Sequence, residues 1–298
     1  MTLIIPPTVA TYATAAPYIT TSEFLNAPTG VDTNQLVPNG GSITNTQTLT
    51  NLILRASAWA DSLCNQTLAA TLDTHAGLFK VRKGKIIVPL DFTPIIAVGQ
   101  IQTGWSPSTL AVLTQTADVW IGATTVEIPV TSVSAAGAAY QFAGMTPDQM
   151  YCTVQYVNGW ADDTLTVSAA SGATSVTVAS ALGFMAGQTV TIYGPNGGEL
   201  VTIAPTFTPT ITPGQTSIPL VNPLVNSYNA GDTLTVMPQS IKQAVIALTC
   251  VLIKTRGSEA MVMQNIRGNP STTTKLEDDA NDDFMVAADL LQPFKRVM

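Results

Sequence analysis

Gly172-Ala173-Thr174-Ser175-Val176-Thr177-Val178 is answered further along the chain by Gly214-Gln215-Thr216-Ser217-Ile218-Pro219-Leu220. Each heptapeptide is followed by a leucine (Leu182, Leu224) and then by Ala-Gly-x-Thr followed by an apolar residue, a threonine and a second apolar residue. That second phrase runs from Ala186 to Ile192 in one copy and from Ala230 to Val236 in the other. The pentapeptide Asp-Thr-Leu-Thr-Val stands twice verbatim, at 163–167 and 232–236, at the two ends of the region. Apolar residues alternating with threonine have the period of a half-buried strand, and the glycines punctuate them as turns. We read 163–236 as a compact all-β module with an internal duplication, inserted between a strand and a helix of a host domain. The chain ends of such an insertion lie next to each other, which is how insertions are tolerated.

Outward from this module the period changes. Leu49, Leu52, Ile53, Ala56, Trp59, Ala60, Leu63 and Cys64 fall at the i, i+3, i+4, i+7 spacing of one buried helical face and predict a long helix over 45–68. After Pro238 a second stripe, Ile241, Ala244, Val245, Leu248, Val251, Leu252 and Thr255, predicts a helix over 239–257. Lys254 and Arg256 lie in its last turn and Gly257 is the stop. A third helix is predicted over 276–291, and a short capped one at Thr20 to Pro28, where Thr20 and Glu23 have capping-box spacing. Between them, Leu78–Val81, Lys85–Val88, Ile95–Val98 and Met150–Tyr156 read as strands, and 258–274 as a long mobile loop. The fold class expected is therefore α+β: a helical bundle with a small antiparallel β-sheet and an inserted all-β module. The domains expected are an extended arm over 1–18, a host domain over 19–162 plus 237–298, and the module over 163–236.

Of the 298 residues, 12 are basic and 19 acidic, so charged residues make up 10%, against roughly 25% in an ordinary soluble domain. Threonine, 44 residues, supplies the missing polarity. From Ile86 to Ile241 there is no Lys or Arg, while eight Asp or Glu occur. A basic nucleic-acid reader is disfavoured by this, because Lys and Arg clusters supply phosphate affinity. An apolar content of 46% argues against disorder through most of the chain. The longest oily stretch, Ala244 to Ile253, is half the ~20 residues of a membrane span, and no segment has the form of a signal peptide. Cys64, Cys152 and Cys250 are odd in number and far apart, and they read as small core residues.

Catalytic patterns are missing, and the expectation is a non-enzyme with no cofactor and no metal. His75 is the only histidine. Asp73 lies two residues away, but no nucleophile elbow accompanies them, so His75 reads as a polar residue near a turn. There is no Cys-x-x-Cys and no His-Glu-x-x-His. Tyr193-Gly194-Pro195-Asn196-Gly197-Gly198 leads into a strand and reads as a hairpin turn, since a phosphate loop opens a helix. Two charge clusters remain. Glu277, Asp278, Asp279, Asp282 and Asp283 form an acidic face on the last predicted helix. Lys80, Arg82, Lys83 and Lys85 form a basic hairpin suited to an electrostatic contact, to a turn kept soluble by charge, or to guarding an edge strand.

The order of the elements carries a resemblance. Ile53-Leu54-Arg55-Ala56-Ser57 with Asp61 lies on the long helix. Then come Pro94-Ile95-Ile96-Ala97-Val98, Val154-Gln155-Tyr156-Val157-Asn158-Gly159, and Pro238-Gln239-Ser240-Ile241-Lys242-Gln243-Ala244-Val245. In this sequence of phrases, over about 19–160 and 237–256, the chain resembles the head–tail adaptor (connector) proteins of tailed bacteriophages. The module and the arm lie outside the resemblance. It implies a structural virion protein at the neck. Such proteins form a ring, usually a dodecamer, below the portal protein at one capsid vertex. The ring extends the DNA channel and docks a stopper or tail protein, and no catalytic residues come with the family. Virion location after assembly in the host cytoplasm is implied as well. DNA would pass through without sequence-specific binding, past the acidic face of the last helix. A capsid- or tail-associated β-rich binding or decoration protein is the alternative, carried by the threonine-rich module.

Overall fold

The computed structural model describes residues 17–34, 36–37, 44–114, 116–130, 148–195, 197–211, 214–255 and 275–296, and for 275–281 the backbone alone. Most of the expected arm and the expected 258–274 loop lie outside the described residues. Those described contain thirteen strands and four α-helices. The architecture is mostly β, which corrects the expected helical bundle with a small sheet. The described residues divide into two compact units, 70–160 with 210–211, and 17–69 with 161–209 and 214–296.

The first unit is a seven-stranded antiparallel sheet. Its strands are β1 (Thr71–Arg82), β2 (Lys85–Pro89), β3 (Ile95–Gly104), β4 (Ala111–Val112), β5 (Trp120–Ile121), β6 (Thr125–Pro129) and β7 (Gln149–Asn158), in the order β4-β3-β7-β1-β2-β6-β5. Strand β1 serves two neighbours: Thr71–Lys80 pair with β7, and Val81 and Arg82 pair with β2. One face is apolar with period two. Ile86 and Val88, Val126 and Ile128, and Met150, Cys152, Val154 and Tyr156 are buried together. Each fully buried aliphatic side chain of this kind contributes about 1.5–3 kcal/mol.

The four segments read as strands all lie within strands, yet the sheet is much larger than they suggest. In β3 the register with β7 shifts between Ile95 and Ala97 and again between Val98 and Ile101. Such irregularities break the two-residue alternation on which a sequence reading depends. Strands β4 and β5 are two residues long and carry no period at all. His75 lies within β1 opposite Val154, which corrects its reading as a residue near a turn.

The second unit holds the duplicated region. Its strands are β8 (Asp162–Thr164), β9 (Ser175–Val178), β10 (Thr189–Gly194), β11 (Gly197–Thr202), β12 (Thr216–Pro219) and β13 (Thr233–Thr235). They form a four-stranded sheet, β11-β10-β13-β8, and a two-stranded one, β12-β9. Between them lies a core of its own that includes Leu165, Val176, Val178, Phe184, Val190, Ile192, Ile203, Ile218, Leu220 and Leu234. The ends of the module meet, with Val236 N donating to Ala161 O at 2.9 Å.

The duplication is visible as a pseudo-twofold axis. Val176 and Ile218, matching residues of the two copies, pair with each other across β9 and β12. Thr191 and Thr235, also matching, pair across β10 and β13. Hydrogen bonds recur in the same way. Gly187 N donates to Ile203 O (3.0 Å), and Gly231 N to Leu165 O (2.8 Å). Ile203 N donates to Gln188 O (2.9 Å), and Leu165 N to Asp232 O (2.8 Å). Even the turn caps match: Met185 N donates to Gln188 Oε1 (3.0 Å) and Asn229 N to Asp232 Oδ2 (2.7 Å). Gly187 and Gly231 have φ of 75° and 94°, which explains the glycine in both Ala-Gly phrases. Each repeat is thus a three-strand unit, β8-β9-β10 or β11-β12-β13, that completes its sheets only with the other copy.

The helices of this unit are α1 (Thr21–Asn26), α2 (Asn45–Cys64), α3 (Gln239–Lys254) and α4 (Lys275–Leu291). The capping box on α1 is present, with Thr20 N donating to Glu23 Oε2 (2.7 Å) and Glu23 N to Thr20 Oγ1 (3.1 Å). Helix α2 stops at Cys64, short of the expected 68, because Asn65 takes the left-handed conformation (φ 54°) and closes the end. Helix α3 is buried nearly all round, through Ile241, Ala244, Val245, Leu248, Val251 and Leu252. Trp59 of α2 stacks obliquely on Phe284 of α4 at 5.3 Å, and Lys254 of α3 pairs with Asp283 of α4 at 2.7 Å.

Candidate functional site

A lysine that the sequence did not single out is the most constrained charge in the described structure. Lys242, in the first turn of α3, has a side chain only 4% exposed. Its Nζ donates to Tyr18 O (3.0 Å) and Glu23 Oε1 (2.8 Å) and lies 3.7 Å from Asp162 Oδ1 on β8. It also stands 5.3 Å from the centre of the Tyr193 ring on β10, while Gln239 donates to the Tyr193 hydroxyl. One cation therefore holds α1, α3 and the outer face of the module's sheet together. A signal was available. Lys242 begins the row Lys242, Val245, Thr249, Leu252, all buried, so it lies on an inward face of its helix, while Gln239 and Gln243 take the exposed positions.

Two acids against one base leave this cluster short of positive charge. Burial pushes the Asp162 carboxyl up to about 6, against the pull of Lys242 and a hydrogen bond from Thr235. A second clasp lies beside it. Tyr18 N donates to Ser57 Oγ (3.1 Å), and Tyr18 OH donates to Asp61 Oδ1 (2.6 Å) while accepting from Leu68 N and Ala69 N. Burial raises the Asp61 carboxyl to about 6 and holds the Tyr18 phenol well above its ordinary value, the latter helped by the Asp61 charge. These contacts tie the segment before α1 to α2.

The residues singled out from the sequence are dispersed. Lys80, Arg82, Lys83 and Lys85 are all exposed on the β1–β2 hairpin, whose turn residues Lys83 and Gly84 have positive φ, as a two-residue hairpin turn prefers. Lys85 pairs with Glu127 at 2.7 Å. The hairpin lies inside the sheet order, with β4 and β5 at the edges, so it does not guard an edge strand. Glu277, Asp278 and Asp279 are on α4, but their side chains lie outside the described residues. Asp282 is exposed, and Asp283 is the half-buried partner of Lys254.

His75 Nδ1 lies 2.7 Å from Asp91 Oδ2, with Phe79 at 5.5 Å, and not against Asp73, which instead accepts from Asn158 Nδ2 (2.6 Å) and Thr71 Oγ1 (2.9 Å). Cys64, Cys152 and Cys250 are free and buried, and burial lifts their thiols to about 12, 12 and 11. That removes the thiolate a nucleophile needs. Among the described residues no group of three or more His, Cys, Asp or Glu is placed to hold a metal ion, and no helix is long and apolar enough to cross a membrane.

What the geometry offers instead is surface of an unusual kind. Between 163 and 236 the only charged residues are Asp163, Glu199 and Asp232, and each caps backbone N–H groups, Glu199 at the surface. Asp163 accepts from Thr164 N and Ser180 N, and Asp232 from Asn229 N. Glu199 accepts from Val225 N (2.7 Å), Asn226 N (3.1 Å) and Tyr228 OH (3.2 Å). The module thus presents threonine, glycine and aliphatic side chains to its surroundings. No protein-family model and no curated protein sequence matches the chain.

Proposed function

We propose that the chain is a structural assembly protein, a head-to-tail adaptor that forms a ring of identical copies below a portal, extends the DNA channel and docks the next connector or tail protein. The observation that carries this reading is the module's surface, which has no basic residue and whose three acids are all engaged in capping backbone groups. Exposed charge of mixed sign keeps a freely soluble domain apart from its neighbours, and a surface without it suits a permanent contact. The resemblance in the order of phrases from Ile53 to Val245 supports the same role. The absence of Lys and Arg from 86 to 241, with a net charge of −7, suits a channel that must not grip the DNA passing through it.

The mostly β architecture favours a second reading, a capsid- or tail-associated decoration protein that uses the module as its binding surface. Imaging of intact particles separates the two. Density for this chain as a ring at the portal vertex is the expected result. A position on the capsid lattice or on a tail fibre overturns the adaptor reading in favour of decoration.

A further inference from the structure

The pseudo-twofold axis makes the two halves of the four-stranded sheet equivalent, but they are covered unequally: the outermost strand β8 lies under α3, whereas its counterpart β11 is open. On the β13-β8 half, the face turned away from the core carries Thr233, Thr235 and Asp162, all buried. The first turn of α3 covers it, with Lys242 reaching Asp162, and extends onto the end of β10, where Lys242 stands over the Tyr193 ring and Gln239 donates to the Tyr193 hydroxyl. On the β11-β10 half, the same face carries Thr189, Thr191 and Tyr193 of β10 and Gly198, Leu200 and Thr202 of β11, and of these Tyr193 lies under α3. Leu200 takes the place of Asp162, since Leu200 pairs with Thr191 as Asp162 pairs with Thr235. Leu200 is 73% exposed, while Thr189 and Gly198 are exposed as well.

One half of a repeated face is therefore a seat with a helix on it. The other half has the same backbone and an apolar residue where the buried acid stood, and on its β11 strand Gly198 and Leu200 are exposed. The substitution of Leu200 for Asp162 changes what the seat accepts. A lysine would find no counter-charge there, whereas an apolar helix stripe would.

The same unit presents such a stripe. Asp282, Met285, Val286 and Asp289 of α4 recur at i, i+3, i+4, i+7 and are exposed, Met285 at 50% and Val286 at 52%. The opposite stripe, Phe284, Ala287 and Leu291, is buried within the unit. Two apolar side chains flanked by carboxylates complement a leucine ringed by threonine hydroxyls, which can donate to those carboxylates. Two acidic chains would otherwise repel, and an uncharged hydroxyl-bearing face is the partner that avoids this.

We propose that the open β11 side of this face, centred on Leu200, is the seat for the α4 stripe Asp282–Asp289 of a second copy of this chain. The contact is heterologous, face to helix, so each copy offers both halves and repetition generates a ring or a filament. It rests on the ring reading above and names the surfaces that make the ring.

The test uses the full-length double variant Leu200→Cys with Met285→Cys, assembled into particles or concentrated in solution, and oxidised before a non-reducing gel. The native cysteines are buried and stay out of the reaction. A ladder of multiples of the chain mass, absent from either single variant, is the expected result. In parallel, Leu200→Glu should cut incorporation into the assembly at least tenfold, with an unchanged melting temperature and with Val225→Glu as the exposed control that still assembles. A ring at the portal vertex with no ladder, and with Leu200→Glu incorporated normally, overturns this contact and leaves the ring reading standing. A chain that neither occupies a portal ring nor self-associates overturns both.

Discussion

The two halves of the module's four-stranded sheet descend from one repeated phrase and share backbone, register and turn caps, yet they differ in what lies on them. The β13-β8 half carries Asp162 beneath Lys242, and the β11-β10 half carries Leu200 in the open. Repeating a sequence reproduces the hydrogen-bonded frame, because the frame depends on glycines and alternating threonines that both copies keep. What covers the frame depends on single side chains, and those have diverged. A buried acid demands a cation and recruits α3 within the chain. A leucine makes no such demand and is free to meet a neighbour.

The largest expected effect comes from breaking the covered half. Lys242→Met removes the one cation from between Glu23 and Asp162 and leaves buried carboxylates uncompensated. A loss of about 3–5 kcal/mol is expected, read as a lower denaturation midpoint. A near-neutral result would mean that the lysine is not what joins helix to module.

Next comes the axis itself. Val176 and Ile218 pair with each other in the module core, so Ile218→Ala should cost about 2–5 kcal/mol, and the double variant with Val176→Ala should be non-additive by at least ~0.5 kcal/mol. Strict additivity would contradict direct packing across the axis.

The pH dependence sharpens the comparison from the acid's side. Asp162 is raised from 3.8 to about 6 in the folded chain, so the folded state binds the extra proton. The stability it contributes is fully present below pH 3.8 and is lost as pH rises through about 6. Asp162→Asn should flatten that dependence and be more stable than wild type at pH 8 by on the order of 2–3 kcal/mol, with little difference near pH 4. Asp61 shifts in the same direction and should leave a residual slope of the same sign. Melts across pH 4–8 check both.

The smallest effect is expected outside the module. Lys85→Ala removes the exposed pair with Glu127 and should change stability by less than about 1 kcal/mol. A larger loss would show that the hairpin charges are structural.

Legibility followed the regularity of each element. The capping box at Thr20 and Glu23 and the stripes of α2 and α3 could be read because caps and 3.6-residue periods are local. Helix α2 ran past its true end in the reading because Leu68 continues the apolar pattern while Asn65 already turns the backbone. The seven-stranded sheet was the main loss. Its longest strand, β1, carries His75, Asp73 and Gly77 among its apolar residues, and β3 is interrupted by two register shifts, so neither displays a clean alternation. Of the surfaces singled out, the basic hairpin was placed correctly as a hairpin but not beside an edge. The contacts of Lys242 could not be read at all, since its partners Tyr18, Glu23 and Asp162 are distant in sequence.

Sequence alone determined the duplication, the charge-poor character of 86–241 and the faces of the longer helices, because each is a property of neighbouring residues. Only the tertiary structure decided that matching residues of the two copies sit opposite each other, that β8 is covered where β11 is bare, and that the chain is mostly sheet. Strand partners, and the difference between a buried lysine and an exposed one, arise from contacts across tens to hundreds of residues, and no local pattern records them.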